Sequence, residues 1–197
     1  MTKIMYMMRH GETLFNKRRK IQGWCDSPLT DLGIKQALGA KQYFQSHNIE
    51  FTHLYSSSLQ RCCDTLELVT DRQDYYRDKD LREMNFGIYE GESEDINPPR
   101  EMFDTYFLNY GGESREQVKE RVKKACIRIM DRDEHNCVLV VSHGGACYHF
   151  MRSFVDNETL VEQKNLGFSN CCIFKYEYDN GLFNLLEVIR TKPVEEE

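Results

Sequence analysis

Apolar positions along the chain follow two rhythms. Short apolar runs that stop at polar residues occur at KIMYMMR (3–9) and CVLVVSH (137–143), with a shorter one, HLYSS, at 53–57. Runs of this length predict strands. NCCIFKYEY (170–178) and LFNLLEVI (182–189) flank Asp179-Asn180-Gly181, and Asn-Gly suits the tight turn of an antiparallel hairpin. Between the strands the apolar spacing turns helical. Thr30 is placed to cap a helix whose stripe is Leu32, Ala37, Ala40 and Phe44, and Ser58 to cap LQRCCDTLELV. The longest helical pattern covers 114–133, with Val118, Val122, Ala125, Ile129 and Met130 on one face, and another, at 145–154, directly follows a strand. Strands alternating with helices predict an α/β fold, a three-layer sandwich with a mostly parallel central sheet and an antiparallel edge hairpin near the C-terminus.

The rhythm breaks at 86–112. This segment is rich in aromatic and acidic residues and contains Pro98-Pro99. It reads as an insertion over one edge of the sheet, and because ligands of open α/β sheets sit beyond the carboxyl ends of the strands it is a candidate lid. A packed surface excursion is the plainer reading. The whole chain, 1–197, is expected to form a single domain, since 197 residues suffice to bury a sizeable core.

Composition narrows the function classes. The chain is 40% hydrophobic and 29% charged, with no low-complexity tract and no apolar run of membrane-spanning length. The first residues lack the apolar core and cleavage site of a secretion signal, so the eight cysteines are expected to be reduced thiols of a cytoplasmic protein. A formal net charge of -6 argues against broad nucleic-acid binding. It leaves room for a local basic pocket.

The candidate chemistry lies where strands end. The first strand delivers Arg9-His10-Gly11 and another delivers Ser142-His143-Gly144-Gly145, each a histidine followed by glycine. A third strand leads into a helix whose first turn holds Arg61, and DKDLREMNFG places Glu83 just before the insertion. In a parallel sheet these two imidazoles, two guanidiniums and one carboxyl group converge. Taken singly each has a plain reading: a hydrogen-bonded structural histidine, a helix-surface arginine, a solvated acid.

Their joint order resembles the histidine phosphatase superfamily, also called the phosphoglycerate-mutase-like family. The matching stretches are RHGETLFN from Arg9, IQGWCDSPLTDLGIKQA from Ile21, YSSSLQRCCDT from Tyr55, LREMNFGIYEG from Leu81 and VVSHGG from Val140. Cys62 departs from the small residue usual at its place, and the region from Gly167 onward carries no diagnostic motif. The resemblance implies that Arg9 and Arg61 grip a phosphoryl group, with guanidinium forks matched to its oxygens. It implies that His10 attacks to form a phosphohistidine, that His143 binds a phosphoryl oxygen, and that Glu83 protonates the leaving oxygen. Asn16, Gln22, Gly23 and Gly144 would line the same pocket. The implied activity is that of a phosphatase on a small phosphorylated metabolite, with no cofactor and no metal.

A mutase, which returns the phosphoryl group to a substrate, is the alternative; mutases of this family tend to carry a longer segment between the acid and the second histidine. A non-catalytic phospholigand binder is disfavoured because all five residues are present. Cys62-Cys63 and Cys171-Cys172 are adjacent pairs, unlike zinc-site spacings. The basic run Lys17, Arg18, Arg19 and Lys20 has a solvated face as its default reading. Its place between Asn16 and Gln22 also suits steering of anionic substrates.

Overall fold

A computed structural model describes residues 2–195. Its six strands are β1 (Lys3–Arg9), β2 (His53–Ser57), β3 (Tyr76–Asp78), β4 (Cys137–Ser142), β5 (Ile173–Asp179) and β6 (Leu182–Ile189). They form one sheet in the order β3-β2-β4-β1-β5-β6. The first four are mutually parallel where they pair, whereas β5 runs antiparallel to β1 and β6 antiparallel to β5. The expected α/β class, the mostly parallel sheet and the C-terminal edge hairpin are all present.

The continuous apolar runs are explained by burial on both faces. Met5, Met7, Val138 and Val140 point into one core, against α4 (Arg115–Met130) and α5 (Gly144–Met151). Their neighbours Tyr6, Met8, Leu139 and Val141 point into the other, against α2 (Asp31–Ser46) and α3 (Gln60–Thr70). Two short helices complete the set, α1 (Leu14–Lys17) and α6 (Asn157–Leu166).

Local differences from the sequence reading have physical causes. Thr30 does cap α2, accepting from the Gly33 amide, but Leu32 is 42% exposed and Gly33 takes the buried position beneath it. Ser58 does not cap α3. Its Oγ accepts from Arg82 Nε at 2.7 Å, and the helix's first amides, those of Gln60 and Arg61, point at the carboxylate of Asp26. Ser114 opens α4 with a capping box, and that helix ends at Met130 rather than 133.

Segment 86–112 is not irregular coil. It winds through four short 3-10 turns and plants Phe107, fully buried, in the first core. Phe86 and Phe103 meet Phe107 edge-on at 4.9 and 5.1 Å between ring centroids. On its other side the segment pairs with the loop after α1, where the Ile21 amide donates to Glu92 and the Glu94 amide to Arg19. It thereby passes over the carboxyl ends of the central strands.

Candidate active site

β1 and β4 are adjacent and parallel, with Arg9 in register with Ser142. The residues that follow each strand therefore emerge side by side. His10 and His143 lie with ring centroids 5.2 Å apart, both buried. α3 brings in Arg61 from the second face, and the loop after β3 brings in Glu83. All five expected residues except His143 line one cleft of about 1010 Å³, and Asn16, Gln22, Gly23 and Gly144 line it too.

The tautomer of His10 follows from its partners. Nδ1 lies 2.7 Å from the Gly11 carbonyl, which can only accept, so Nδ1 carries the proton and Nε2 keeps its lone pair. Arg61 Nε donates to that lone pair at 3.3 Å. Burial, then the positive charges of Arg61 and Arg9, hold the His10 pKa well below the ordinary imidazole value. The backbone is clamped as well: the His10 amide donates to Ser142 and Asn170 Nδ2 donates to the His10 carbonyl at 3.0 Å. His143 is likewise kept neutral by burial first, then by Arg61 and His10, and its Nε2 is 2.8 Å from Ser57 Oγ. Cys62 lies against this ring, its sulfur 3.4 Å from Nε2.

Arg61 is not a surface charge; it is 1% exposed. Nη1 donates to the Cys25 carbonyl at 2.9 Å and to Asp26 at 3.1 Å, and Nη2 to the Gly23 carbonyl at 2.7 Å. The 22–26 turn is thus the socket of the arginine. Glu90 shapes that socket by accepting the amides of Trp24 and Cys25 at 2.8 and 2.9 Å. Gly23 sits at φ +53°, where a side chain would meet the Glu90 carboxylate at 2.2 Å. Arg9 Nη1 donates to Phe168, while its Nε is buried without a partner. Burial lowers the proton affinity of this guanidinium.

Glu83 sits on the N-terminus of α5. Its oxygens accept the amides of Gly145 at 2.8 Å, Ala146 at 3.0 Å and Met84 at 2.8 Å. Glycine at 145 leaves room for this carboxylate, since a Cβ there would stand 2.4 Å from Glu83 Oε1 and displace it. Arg121 holds the backbone beneath, donating to the carbonyls of Asp80, Arg82 and Glu83 while paired with Glu113.

The basic run divides. Arg19 and Lys20 line the cleft, while Lys17 and Arg18 are exposed away from it. Arg19 pairs with Asp95, and Lys20 donates to the Gly91 carbonyl, so both tether segment 86–112. Arg115, Arg152 and Lys164 line the opposite side, so a chain of net charge -6 carries a cationic cleft. Asp26, Arg121 and Asn170 have no place in the sequence reading of this arrangement. Each acts through a contact far along the chain, which no local pattern announces.

A neutral, oriented imidazole lies beside the guanidiniums of Arg9 and Arg61 at the carboxyl ends of the mostly parallel sheet of an α/β protein. The chain belongs to the histidine phosphatase superfamily (branch 1), whose family model matches residues 5–191. It is 33% identical over 187 residues to a probable phosphoglycerate mutase, GpmB, of Proteus mirabilis (strain HI4320), covering 90% of this chain and 86% of that protein. Among solved structures it resembles YhfR of Bacillus stearothermophilus, at 30% identity and TM-score 0.78 over 93% of this chain and 95% of the other. It also resembles a phosphoglycerate mutase of Bacillus anthracis str. Sterne, at 26% identity and TM-score 0.80 over 95% and 92% of the two chains.

Proposed function

We propose that the protein is a phosphomonoester hydrolase that works through a phosphohistidine on a small phosphorylated metabolite. The observation that carries this reading is the state of His10: Nδ1 is locked to Gly11, and Nε2 is unprotonated and faces Arg61. In the first step Nε2 attacks phosphorus, and the bond from phosphorus to the ester oxygen breaks. Arg61, keeping its proton, redirects the Nε–H hydrogen bond from the imidazole to a phosphoryl oxygen, and Arg9 and His143 bind others, stabilising the charge spread over the transferring group. Glu83 gives its proton to the departing alkoxide. In the second step Glu83 takes a proton from water, the hydroxide attacks phosphorus, and His10 and inorganic phosphate are released. The charge a divalent ion would bring is supplied by the guanidiniums. The chain acts as one catalytic domain, with segment 86–112 setting which ester fits.

A second reading, a mutase, is favoured by the name of the Proteus mirabilis relative. Released phosphate, measured beside isomerisation of phosphoglycerates, separates the two. The hydrolase mechanism itself is tested by mixing protein with labelled phosphomonoester and quenching in base. An acid-labile phosphoenzyme is expected, absent in His10→Ala and formed more slowly in His143→Ala. An undiminished adduct in His10→Ala would remove His10 from the nucleophile's role.

A further inference from the structure

At the amino ends of the strands, away from the cleft, two imidazoles face each other, that of His135 buried and that of His53 half-buried. His53 opens β2, and His135 lies in the connection from α4 to β4. β2 and β4 pair in parallel with His53 opposite Val138, so both histidines lie at the same end of the sheet. The catalytic groups follow the other end. At roughly 3.3 Å per residue, β2 alone sets the two ends about 13 Å apart.

His135 is 0% exposed, and its Nδ1 lies 2.6 Å from the Ile129 carbonyl. That carbonyl only accepts, so Nδ1 carries the proton and Nε2 is a bare lone pair. Nε2 is buried and has no hydrogen-bond partner, and neither has Nδ1 of His53. The ring centroids are 3.8 Å apart, and the Glu134 carboxylate reaches within 3.9 Å of His135 Nε2. One ligand atom from each of the three residues falls within 4.8 Å of the others. Capping the end of α4 explains Nδ1 of His135 and nothing else. Leaving two buried imidazole nitrogens unsatisfied is costly.

We propose that His53, Glu134 and His135 form a second site, independent of catalysis, for a divalent transition-metal ion of the zinc class. Two imidazole nitrogens and one carboxylate oxygen, with water as the fourth ligand, suit zinc better than magnesium or calcium, which prefer all-oxygen shells. The bond from Nδ1–H of His135 to a backbone carbonyl is the brace that fixes the tautomer of a metal-bound histidine. Glu134, 64% exposed, is free to close on the ion. Arg132, the cation beside the cluster, is engaged by the Tyr55 hydroxyl at 3.2 Å and lies over the Tyr76 ring. Glu134 and His135 are neighbours in the connection before β4, but His53 comes from β2, some eighty residues earlier, so no local spacing reveals the set.

The test is titration of chelator-treated protein with Zn²⁺ alone, by calorimetry and thermal unfolding. One ion should bind, and saturation should raise Tm by roughly 5 °C. His53→Gln and Glu134→Gln should each weaken binding about tenfold or more, while keeping the Tm of the metal-free protein. Co²⁺ in place of zinc should give visible d–d bands without a thiolate charge-transfer band. Phosphatase activity should be the same before and after chelation. An unmoved Tm, unweakened affinity in both variants, or a thiolate band would overturn the site and point to a water between the rings or to an ion on cysteine. Activity lost on chelation and restored by zinc would overturn its independence from the cleft.

Discussion

Glu83 carries three backbone amides on its two oxygens. A carboxylate has about four lone-pair positions, so one remains for a substrate oxygen or water. This geometry suits proton transfer at one defined place beside the phosphoryl group. An alkyl phosphate needs such a proton because an alkoxide leaves poorly, whereas para-nitrophenolate leaves unaided. Glu83→Gln should therefore slow phosphorylation by alkyl phosphates by roughly a hundredfold or more, and phosphorylation by para-nitrophenyl phosphate much less. Single-turnover measurement is required, because Glu83 acts again on water in the second step. Equal slowing with both esters would reduce Glu83 to a pocket wall. Glu90, an alternative acid within the insertion, is already engaged by the amides of Trp24, Cys25 and Phe86.

Among the elements, α3 shows most clearly how a distant residue completes a local one. Its N-cap is Leu59, which has no side chain to offer the helix, and Asp26 supplies the carboxylate from another loop. The same carboxylate holds Nη1 of Arg61 at 3.1 Å. Asp26→Ala removes both functions and should cost about 1 kcal/mol from the lost cap, with slower phosphoenzyme formation. Asp26→Asn keeps an oxygen for the cap, so stability should largely return while phosphorylation stays slow. Full recovery of the rate in Asp26→Asn would make Asp26 a cap with no part in placing Arg61. The contrast marks what the sequence discloses. Arg9-His10 and Ser142-His143 were legible because each sits directly at the end of an apolar run, and parallel pairing does the rest. β3 was not, being three residues long with two of them exposed. Nor was α6, which buries no residue and so has no apolar stripe to read. The socket of Arg61, the brace of Glu83 by Arg121 and the clamp of His10 by Asn170 are products of the tertiary fold and leave no periodic trace.

Over the whole molecule, the burial that prepares the cleft also ties stability to pH. His10 and His143 are held well below the ordinary imidazole value, His149 is lowered to about 4, and His135 is lowered too, burial being the first cause in each. Below about pH 6.5 the unfolded chain takes up these protons and the folded chain does not. The unfolded state then binds more protons, so stability falls as pH drops, by up to about 1.4 kcal/mol per pH unit for each such histidine. Above that value both states are neutral at these sites and the dependence vanishes. Carboxylates with lowered values, such as Asp74 at about 2, begin to act only below about pH 5, as the unfolded chain takes up their protons, which leaves the interval from about 6.5 down to 5 to the histidines. Urea unfolding from pH 8 to pH 4.5 should therefore give a free energy that is level above about 7 and declines steeply below about 6.5. His149→Gln should remove one proton from the slope, whatever it does to absolute stability, because glutamine binds none in either state. His149 lies on α5 outside the catalytic group, with Nδ1 buried and unpartnered; burial and the charges of Arg152 and Arg115 oppose its protonation, and Asp104 offsets them only in part. A slope unchanged by His149→Gln would mean that the folded protein takes up this proton as readily as the unfolded chain, by opening locally at α5 before it unfolds.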